Sequence, residues 1–465
     1  MCKHIFFFVL AQNKLTKILN NIILKIRSKV DKRLNIKGKN MAYSNKEVFT
    51  LSSISVIICE CLYNLVCIFV DTFLISRILT IVNYNIFQIG LFYLTQYSFQ
   101  IILSVVLCYL LKKIKLNSFV TIGAIIMMGL VMSVYFLSDA DLITYLPLLA
   151  LCYSLGSSCF WTGQNNLATV AVSSRYQVRF FTVKKTSVIA IKALAPILLG
   201  SAISAVGAEG FKTVAILMAV FTVLLFVFSL FVKANKKFNM TFKFGAYTKM
   251  MFKERKKYKI LWNDYYLAIF YGLGITTISV LFTYMVFKHF QSDFYLGIVK
   301  TVITAVSLIG MFVFLKSYRK KQAKWYCSAP MIFVPIAGIV MLAWTNMWTI
   351  LIFFFLYNAL TVNLTSLTDM RRAGIIRLLD MHEHVLEHNA FFEVFLCASR
   401  IVGFGIFMLM GAIDTALMFN IGVGVILVCF IMFCYLTYRM EKLLVEQDKQ
   451  WKKDHVVYND KTSTH

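Results

Sequence analysis

The sequence predicts an all-α integral membrane protein with twelve transmembrane helices, and three observations predict it. Of the 465 residues, 59% are hydrophobic and only 15% are charged, whereas about a quarter of the residues in soluble domains are charged. Apolar stretches of about 20 residues, long enough to cross a hydrocarbon core as a helix, recur along the chain. The segments between them are alternately rich and poor in basic residues, as loops on the two sides of a membrane are.

Short polar or basic segments separate the predicted helices. The predicted spans are 50–75, 86–111, 117–137, 143–166, 186–206, 211–232, 264–287, 294–315, 326–344, 347–368, 391–412 and 415–438. The four prolines Pro147, Pro196, Pro330 and Pro335 all fall within these spans. Membrane helices tolerate proline where neighbouring helices satisfy the freed carbonyl groups, so we expect several of these helices to be kinked.

The net charge of +27 is spread over many loops. One set of loops holds Lys112, Lys113, Lys115, Arg175, Arg179, Lys184, Lys185, the stretch 233–259, Lys316, Arg319, Lys320, Lys321, Lys324, Arg371, Arg372 and Arg377, and the alternate set holds only Arg77, Lys212 and Lys288 beside several acids. The positive-inside rule then predicts that both termini are cytoplasmic and that the basic loops face an anionic inner leaflet. Richness in Ile, Asn, Lys and Phe suggests an AT-rich bacterial genome, so the expected location is a bacterial plasma membrane. Because the charge is spread over many short loops, no nucleic-acid partner is expected.

The predicted spans divide the chain into five parts. These are a basic cytoplasmic segment at 1–49, a six-helix bundle at 50–232, a basic cytoplasmic central loop at 233–263, a second six-helix bundle at 264–438 and a cytoplasmic tail at 439–465. Within the first part, "LTKILNNIILKIRSKVDKRL" (15–34) has the spacing of an amphipathic helix lying on the membrane. The alternative is that translation begins at Met41 and that the upstream stretch is an extension.

The two bundles repeat each other weakly in sequence. "FQIGLFYLTQYSFQIILSVVLCYLLKKIK" (87–115) and "FYLGIVKTVITAVSLIGMFVFLKSYRKKQAK" (294–324) are both apolar helices that lead into a basic loop. "YSLGSSCFWTGQNN" (153–166) and "YNALTVNLTSLTDM" (357–370) both run from a tyrosine into polar residues. Two pseudo-symmetric six-helix bundles are the expected result of such a duplication.

This arrangement resembles the major facilitator superfamily of secondary transporters over residues 50–438. The resemblance implies a central cavity lined by spans one, four, five, seven, eight, ten and eleven. Two family motifs are reduced here. "CYLLKKIKLN" (108–117) keeps the basic residues of the second-helix loop motif without its acid, and "KALAPILLG" (192–200) keeps only Pro196 and Gly200 of the glycine-rich motif in the fifth helix.

Polar residues follow one face of the first span. Glu60, Asn64, Cys67 and Asp71 are spaced as one stripe on a helix, which indicates a helix lining a water-filled path. We expect Glu60 near mid-membrane and Asp71 near the outer surface. Glu60 is the first candidate for proton coupling, because a carboxyl group in a low dielectric exchanges protons near neutral pH. The alternative is a structural ion pair with Lys192 or Arg400.

The other candidates lie on four further spans. Trp161, Gln164 and Asn165 are on the fourth, Lys192 is on the fifth about two turns from the cytoplasm, Lys300 is in the outer half of the eighth, and Glu393 and Arg400 are on the eleventh. Amides such as Asn64, Gln96, Gln164 and Asn165 more often form hydrogen bonds between helices than bind a ligand. Glu393 is the second candidate for coupling, although it lies where a helix N-terminus favours a negative charge. Arg400 cannot readily lose its proton and needs an anion from Glu60 or from the substrate.

No other chemistry is predicted. Most of the eleven cysteines lie within spans and are expected to be small buried residues. "MHEHVLEH" (381–388) fails the zinc-protease pattern because position 386 is Leu, and we expect His384 and His388 on a solvated loop helix, with pH sensing as the alternative. No metal, cofactor or enzyme activity is expected.

The predicted function is secondary active transport by alternating access, coupled to protons. The aromatic residues Tyr63, Tyr93, Trp161 and Tyr271 favour a small amphipathic or organic substrate that is exported. The alternative is a membrane protein that kept the fold, lost transport and acts as a partner or regulatory subunit. The expected partners are the substrate, protons and the lipid bilayer, and we expect a monomer.

Overall fold

A computed structural model shows an all-helical chain. It describes residues 50–111, 114–170, 177–232, 242–317, 323–379 and 384–462. The proposed amphipathic helix at 15–34 lies outside the described residues, as does the first part, 233–241, of the basic stretch at 233–259. Residues Leu51–His465 form one compact unit, so apolar residues from all the long helices share its interior.

The twelve long helices are numbered in chain order. They are α1 Leu51–Ile81, α2 Phe87–Leu110, α3 Leu116–Phe136, α4 Leu146–Val170, α5 Gln177–Val206, α6 Gly210–Leu230, α7 Lys259–Phe290, α8 Asp293–Ser317, α9 Ala323–Ala343, α10 Met347–Leu378, α11 Val385–Ile413 and α12 Ala416–Thr462. Two short helices, Asp139–Thr144 and Phe244–Lys253, lie between long ones. Each long helix coincides with one predicted span, so the predicted fold is confirmed.

Eleven of these helices are long and apolar enough to cross a membrane, as judged from the described residues. The twelfth is α4, which has 25 residues but carries Ser154, Ser157, Ser158 and Gln164. All four of these residues are buried. These four polar side chains, which lower the hydropathy of α4, therefore point into the protein.

Several helices are longer than predicted, and this changes the depth of key residues. Because α5 begins at Gln177, Lys184 is inside a helix rather than in a loop, and Lys192 is near the middle of α5 rather than two turns from its start. Because α1 continues to Ile81, Asp71 is well inside the helix rather than near the surface. Because α11 begins at Val385, Glu393 lies beyond the first turn, where the field of the helix N-terminus has faded.

Two further boundary differences are at the ends of the second bundle. α7 begins at Lys259, inside the predicted central loop, and α12 continues to Thr462 through the predicted tail. The added residues of α7 at 259–263 are mostly apolar, whereas α12 goes on beyond its hydrophobic pattern with charged residues such as Glu441 and Lys442. Such residues have good helix propensity, so loss of hydropathy alone does not mark the end of the helix.

Helices α1 and α7 are each interrupted at a corresponding point. A π-helical segment runs over Phe69–Leu74 in α1 and over Tyr271–Thr276 in α7. Segments of this kind insert an extra residue into the helical register and occur often at functional sites. Their equivalent placement in the two halves agrees with the sequence repeat.

Two pairs of helices hold the halves together, α2 with α11 and α5 with α8. Glycines permit the close approach in both pairs. A Cβ atom added at Gly90 would lie 2.9 Å from the carbonyl oxygen of Phe404, and one at Gly297 would lie 2.4 Å from that of Pro196. The backbones of the two halves therefore touch without intervening side chains.

The end of the bundle opposite the basic loops is closed by contacts between the halves. The hydroxyl group of Ser76 donates to Oδ1 of Asp293 over 2.5 Å, and Nδ2 of Asn85 donates to the carbonyl oxygen of Gly411 over 3.1 Å. These bonds join the ends of α1 and α2 to α8 and α11. We call this side of the molecule the closed end.

Candidate substrate and proton site

Asp71 lies in the π-helical segment of α1 and is held by two tyrosines. The hydroxyl group of Tyr93, on α2, is 3.3 Å from Oδ1 of Asp71. That of Tyr153, on α4, is 3.1 Å from both carboxyl oxygens. Both tyrosines are buried, whereas Asp71 keeps part of its surface accessible. The two hydroxyl groups therefore fix the orientation of the carboxyl group, on a residue that is itself only partly buried.

Lys300, in the second half of the protein, lies close to this carboxyl group. Its Nζ atom, on α8, donates a hydrogen bond of 2.5 Å to Oγ1 of Thr72, the residue after Asp71. Lys300 and, more weakly, Lys192 of α5 interact electrostatically with Asp71. One acid and two cations from three helices thus meet between the halves.

Arg400 of α11 forms the other end of the site. Its guanidinium carbon lies 4.7 Å from the ring centroid of Tyr97 on α2, which is a cation–π contact. Its Nε atom donates to Oγ1 of Thr276, in the π-helical segment of α7, over 3.3 Å. Glu393 interacts with Arg400 electrostatically. In the described part of the chain no carboxylate oxygen lies within 4.0 Å of the guanidinium group.

An aromatic surface connects Asp71 with Arg400. The rings of Tyr93 and Tyr97 are stacked with centroids 6.1 Å apart. Phe404 of α11 stacks on both, at 4.7 Å from Tyr93 and 5.6 Å from Tyr97. Tyr97 interacts electrostatically with Arg400 and with Asp71. The acid and the arginine therefore belong to one site with an apolar floor.

Glu60 is not part of this site, and its predicted partners are wrong. Its Oε2 atom pairs with Nζ of Lys184 at 2.8 Å rather than with Lys192 or Arg400. Gln164 of α4 donates from Nε2 to the same carboxylate over 3.1 Å and to the carbonyl oxygen of Val56 over 2.7 Å. All three side chains are buried, so the cluster ties α1, α4 and α5 together within the first half.

The three remaining candidates contribute little to this geometry. Nδ2 of Asn64 donates to the carbonyl oxygen of Glu60 on its own helix, over 2.8 Å. The ring of Trp161 packs edge-on against Tyr63 and Phe160. Asn165 is exposed. Gln164 is the only one of the predicted amides for which a described hydrogen bond joins two helices.

His388 is buried rather than solvated, which corrects the prediction of a loop helix. It lies at the start of α11, where Nδ1 is 2.8 Å from the hydroxyl group of Tyr265 and Nε2 is 3.6 Å from Oδ2 of Asp264. Tyr265 also bonds the hydroxyl group of Tyr247, 2.8 Å away on the short helix Phe244–Lys253. Burial raises the pKa of the Tyr247 phenol to about 12, so it is protonated at neutral pH. His384 contacts the ring of Tyr247.

The described residues contain no group of three metal-binding side chains. The ten described cysteines are all free thiols, six of them buried. This agrees with their predicted role as small buried residues.

Sequence reasoning missed Tyr97, Tyr153, Thr276 and Lys184. Tyr97 had a usable signal, because it follows Tyr93 by one helical turn and therefore shares its face. Lys184 was hidden by the predicted helix boundary. Tyr153 begins the repeated segment 153–166, but nothing in the sequence assigns a partner to it or to Thr276, because the packing of separate helices brings each to its partner.

Comparison with known proteins agrees with this architecture. A sequence model described as Major Facilitator Superfamily matches residues 53–371. The search of curated proteins found no match.

Solved structures of transporters share the fold at low sequence identity. A bacterial homologue of the iron transporter ferroportin in an inward-facing state has 14% identity and a TM-score of 0.62, over 84% of this chain and 98% of that one. A D-xylose-proton symporter has 12% identity and a TM-score of 0.65, over 83% and 97%. The nucleoside transporter NupG has 13% identity and a TM-score of 0.55, over 85% and 98%. The chain is thus a multi-pass membrane protein with a transporter fold, not an enzyme, and it belongs to the Major Facilitator Superfamily.

Proposed function

We propose that the chain is a proton-coupled secondary transporter that moves a small amphipathic or organic molecule by alternating access, with Asp71 as the proton-binding group. The observation that carries the proposal is the position of Asp71 between the halves. Tyr93 and Tyr153 orient its carboxyl group, and Lys300 reaches it from the second half. A proton on Asp71 removes an attraction between the halves and so shifts the equilibrium between their two arrangements.

Asp71 replaces Glu60 as the first candidate for coupling. The Glu60 carboxylate is already paired with Lys184 and Gln164 in the first half, so a change in its charge acts within one rigid bundle. Asp71 and Glu393 both retain accessible surface. A coupling group has to exchange protons with water, which favours residues that line an aqueous path.

The direction of transport depends on the charge of the substrate. A cation would compete with the proton for Asp71 and exchange with it, which gives the export that the aromatic content favours. An anion would bind together with the proton, and the two would move in the same direction.

We also propose that the protein is a monomer in the bacterial plasma membrane, with both termini in the cytoplasm. The positive-inside pattern of the loops supports the cytoplasmic position of the termini. The closed end then faces outwards, and anionic lipids of the inner leaflet contact the basic loops.

The proposed function can be tested in proteoliposomes that contain the pH-sensitive dye pyranine. The purified protein is given an inward proton gradient, and a mixed library of small organic molecules is added in pools. We expect at least one pool to change the rate of proton movement, and Asp71→Asn to abolish that change. Glu209→Gln, which removes an exposed acid, is the matched control and should behave like the wild type.

Two results would contradict the proposal. Proton movement that responds to a pool equally in the wild type and in Asp71→Asn would exclude Asp71 as the coupling group. A protein that responds to no pool, while co-purifying with another membrane protein, would favour the alternative of a transport-inactive partner.

A further inference from the structure

We infer that the substrate is an organic anion with an aromatic or apolar body. Arg400 binds its acidic group, and the buried rings of Tyr93, Tyr97 and Phe404 make the surroundings of its body apolar. This inference rests on the proposed function, because it assigns the substrate class of the same site.

The first step of the argument is the unfilled hydrogen-bonding capacity of Arg400. A guanidinium group has five N–H donors and stays charged under all physiological conditions. The contacts described for it are Thr276, the side chain of Cys397 and the face of Tyr97. None of these carries a formal negative charge at neutral pH, so the charge lacks an adjacent counter-ion in the described part of the chain.

The energetic cost of an arginine without a counter-ion inside a membrane helix indicates that an anion binds to Arg400. An arginine at the centre of a membrane helix costs about 2.5 to 3.5 kcal/mol even on insertion scales. An ion pair with a neighbouring helix would reduce that cost, yet the nearest acid on its own helix, Glu393, does not reach ion-pair distance of Arg400 in the described structure. A carboxylate or phosphate group of a substrate would compensate this charge through the bidentate hydrogen bonds that a guanidinium group favours.

The second step is the sign of the charge in the whole site. Lys192, Lys300 and Arg400 are cationic, whereas the acids that interact with them are Asp71 and Glu393. One positive charge is in excess when both acids are ionised, and two are in excess when Asp71 is protonated. A cationic substrate or a metal ion would add to this excess, whereas an anion would neutralise it.

The third step is the surface between the charges. The stacked rings of Tyr93, Tyr97 and Phe404 lie between Asp71 and Arg400. All three rings are buried in this arrangement, so they make the surroundings of the charged groups apolar. Such surroundings suit an aromatic or aliphatic body better than a substrate with many hydroxyl groups.

The proton and the anion then assist each other. The titratable groups that interact with Asp71 are Tyr63, Cys67, Tyr93, Tyr97, Tyr153, Lys192 and Lys300. When Asp71 binds a proton, Lys300 loses its acidic partner, and its positive charge can attract the anionic substrate. Protonation of Asp71 therefore strengthens anion binding. By thermodynamic linkage the bound anion strengthens proton binding by the same factor. The substrate and proton therefore move together, and an inward proton gradient drives uptake instead of export.

The inference can be tested with three probes of matched shape. These are 3-phenylpropionate, which is anionic, 3-phenylpropionamide, which is neutral, and 3-phenylpropylamine, which is cationic. Binding to the purified protein in detergent is measured by the shift in thermal unfolding temperature and by isothermal titration. We expect only the acid to bind, and Arg400→Gln to raise its dissociation constant by about ten- to a hundredfold, the loss expected for a charged hydrogen bond.

Control variants separate binding from folding. Arg77→Gln removes an arginine that pairs with Asp139 on the surface, and it should bind the acid like the wild type. Arg400→Lys keeps the charge and loses the bidentate geometry, so it should bind with intermediate affinity even if Arg400→Gln is poorly folded. Binding of the acid in weakly buffered solution should take up protons, and Asp71→Asn should remove that uptake.

The inference is wrong if the amide or the amine binds as tightly as the acid, or if Arg400→Gln and Arg400→Lys both bind the acid like the wild type. It is also wrong if neither 3-phenylpropionate nor its shorter and longer analogues, benzoate and 5-phenylpentanoate, bind to the protein. Its failure is distinguishable from failure of the proposed function. Pyranine-detected transport that depends on Asp71 but not on anions leaves the proposed function intact, whereas an acid that binds without any proton movement contradicts the proposed function alone.

Discussion

The ammonium group of Lys184 lies 2.8 Å from the carboxylate of Glu60, and this buried ion pair joins α5 to α1 within the first half. Removing one partner leaves the other charge uncompensated, and for buried pairs this costs about 3 to 5 kcal/mol. We expect Glu60→Gln and Lys184→Met each to lower the thermal unfolding temperature in detergent. The double variant should be more stable than the sum of the two single effects predicts, because it leaves no lone charge.

The surface pair of Arg77 and Asp139 provides the comparison. Its Nη2 and Oδ2 atoms are 2.7 Å apart, but both side chains are more than a third exposed. Exposed pairs contribute about 0 to 1 kcal/mol, so Arg77→Gln should change the unfolding temperature little. A loss as large as that of Glu60→Gln would show that burial does not set the energy of the first pair.

The close contact between α5 and α8 should not tolerate a side chain at Gly297. A Cβ atom there would lie 2.4 Å from the carbonyl oxygen of Pro196, so Gly297→Ala forces the two helices apart. We expect a lower unfolding temperature and reduced transport. Nothing lies within 4 Å of a Cβ atom added at Gly129 or Gly424, and alanine there should raise helix stability by up to about 1 kcal/mol. Equal changes in unfolding temperature at all three positions would argue against close packing between α5 and α8.

Contacts at the closed end should have to break during transport. Ser76 and Asp293 are joined by a hydrogen bond of 2.5 Å between α1 and α8. In a cysteine-free background, we expect Ser76→Cys combined with Asp293→Cys to react with a short bifunctional thiol reagent and to stop transport. Reduction should restore transport if the linker contains a disulfide. Transport at the full rate in the cross-linked protein would show that this end does not open.

The hydroxyl group of Tyr265 connects α11 to the short helix Phe244–Lys253. It bonds His388 and Tyr247, each at 2.8 Å, and a neutral hydrogen bond contributes about 0.5 to 1.5 kcal/mol. We expect Tyr265→Phe to loosen the short helix, seen as faster hydrogen exchange over residues 244–253. Tyr258→Phe, in the loop before α7, is the control. Unchanged exchange in Tyr265→Phe would mean that other contacts hold the short helix.

Residue type and spacing predicted which side chains are chemically important but not which partners they have. Asp71, Lys192, Lys300 and Arg400 were all identified, because a charge within an apolar span is costly and must have a partner or a cavity. The predicted pairing of Glu60 with Lys192 or Arg400 was wrong. The end of a hydrophobic stretch did not mark the start of α5, so Lys184 was assigned to a loop and excluded as a partner.

The sequence by itself determined the helices and the family to which the chain belongs. Hydropathy acts locally, since about 20 apolar residues are enough to form a membrane-spanning helix whatever surrounds them. The tertiary structure decided the site, because contacts such as Asp71 with Tyr153, or Arg400 with Tyr97, join helices far apart in sequence. It also decided the depth of Asp71, through the π-helical segment of α1 and the continuation of that helix to Ile81. Packing sets these features, and packing has no local signature in the sequence.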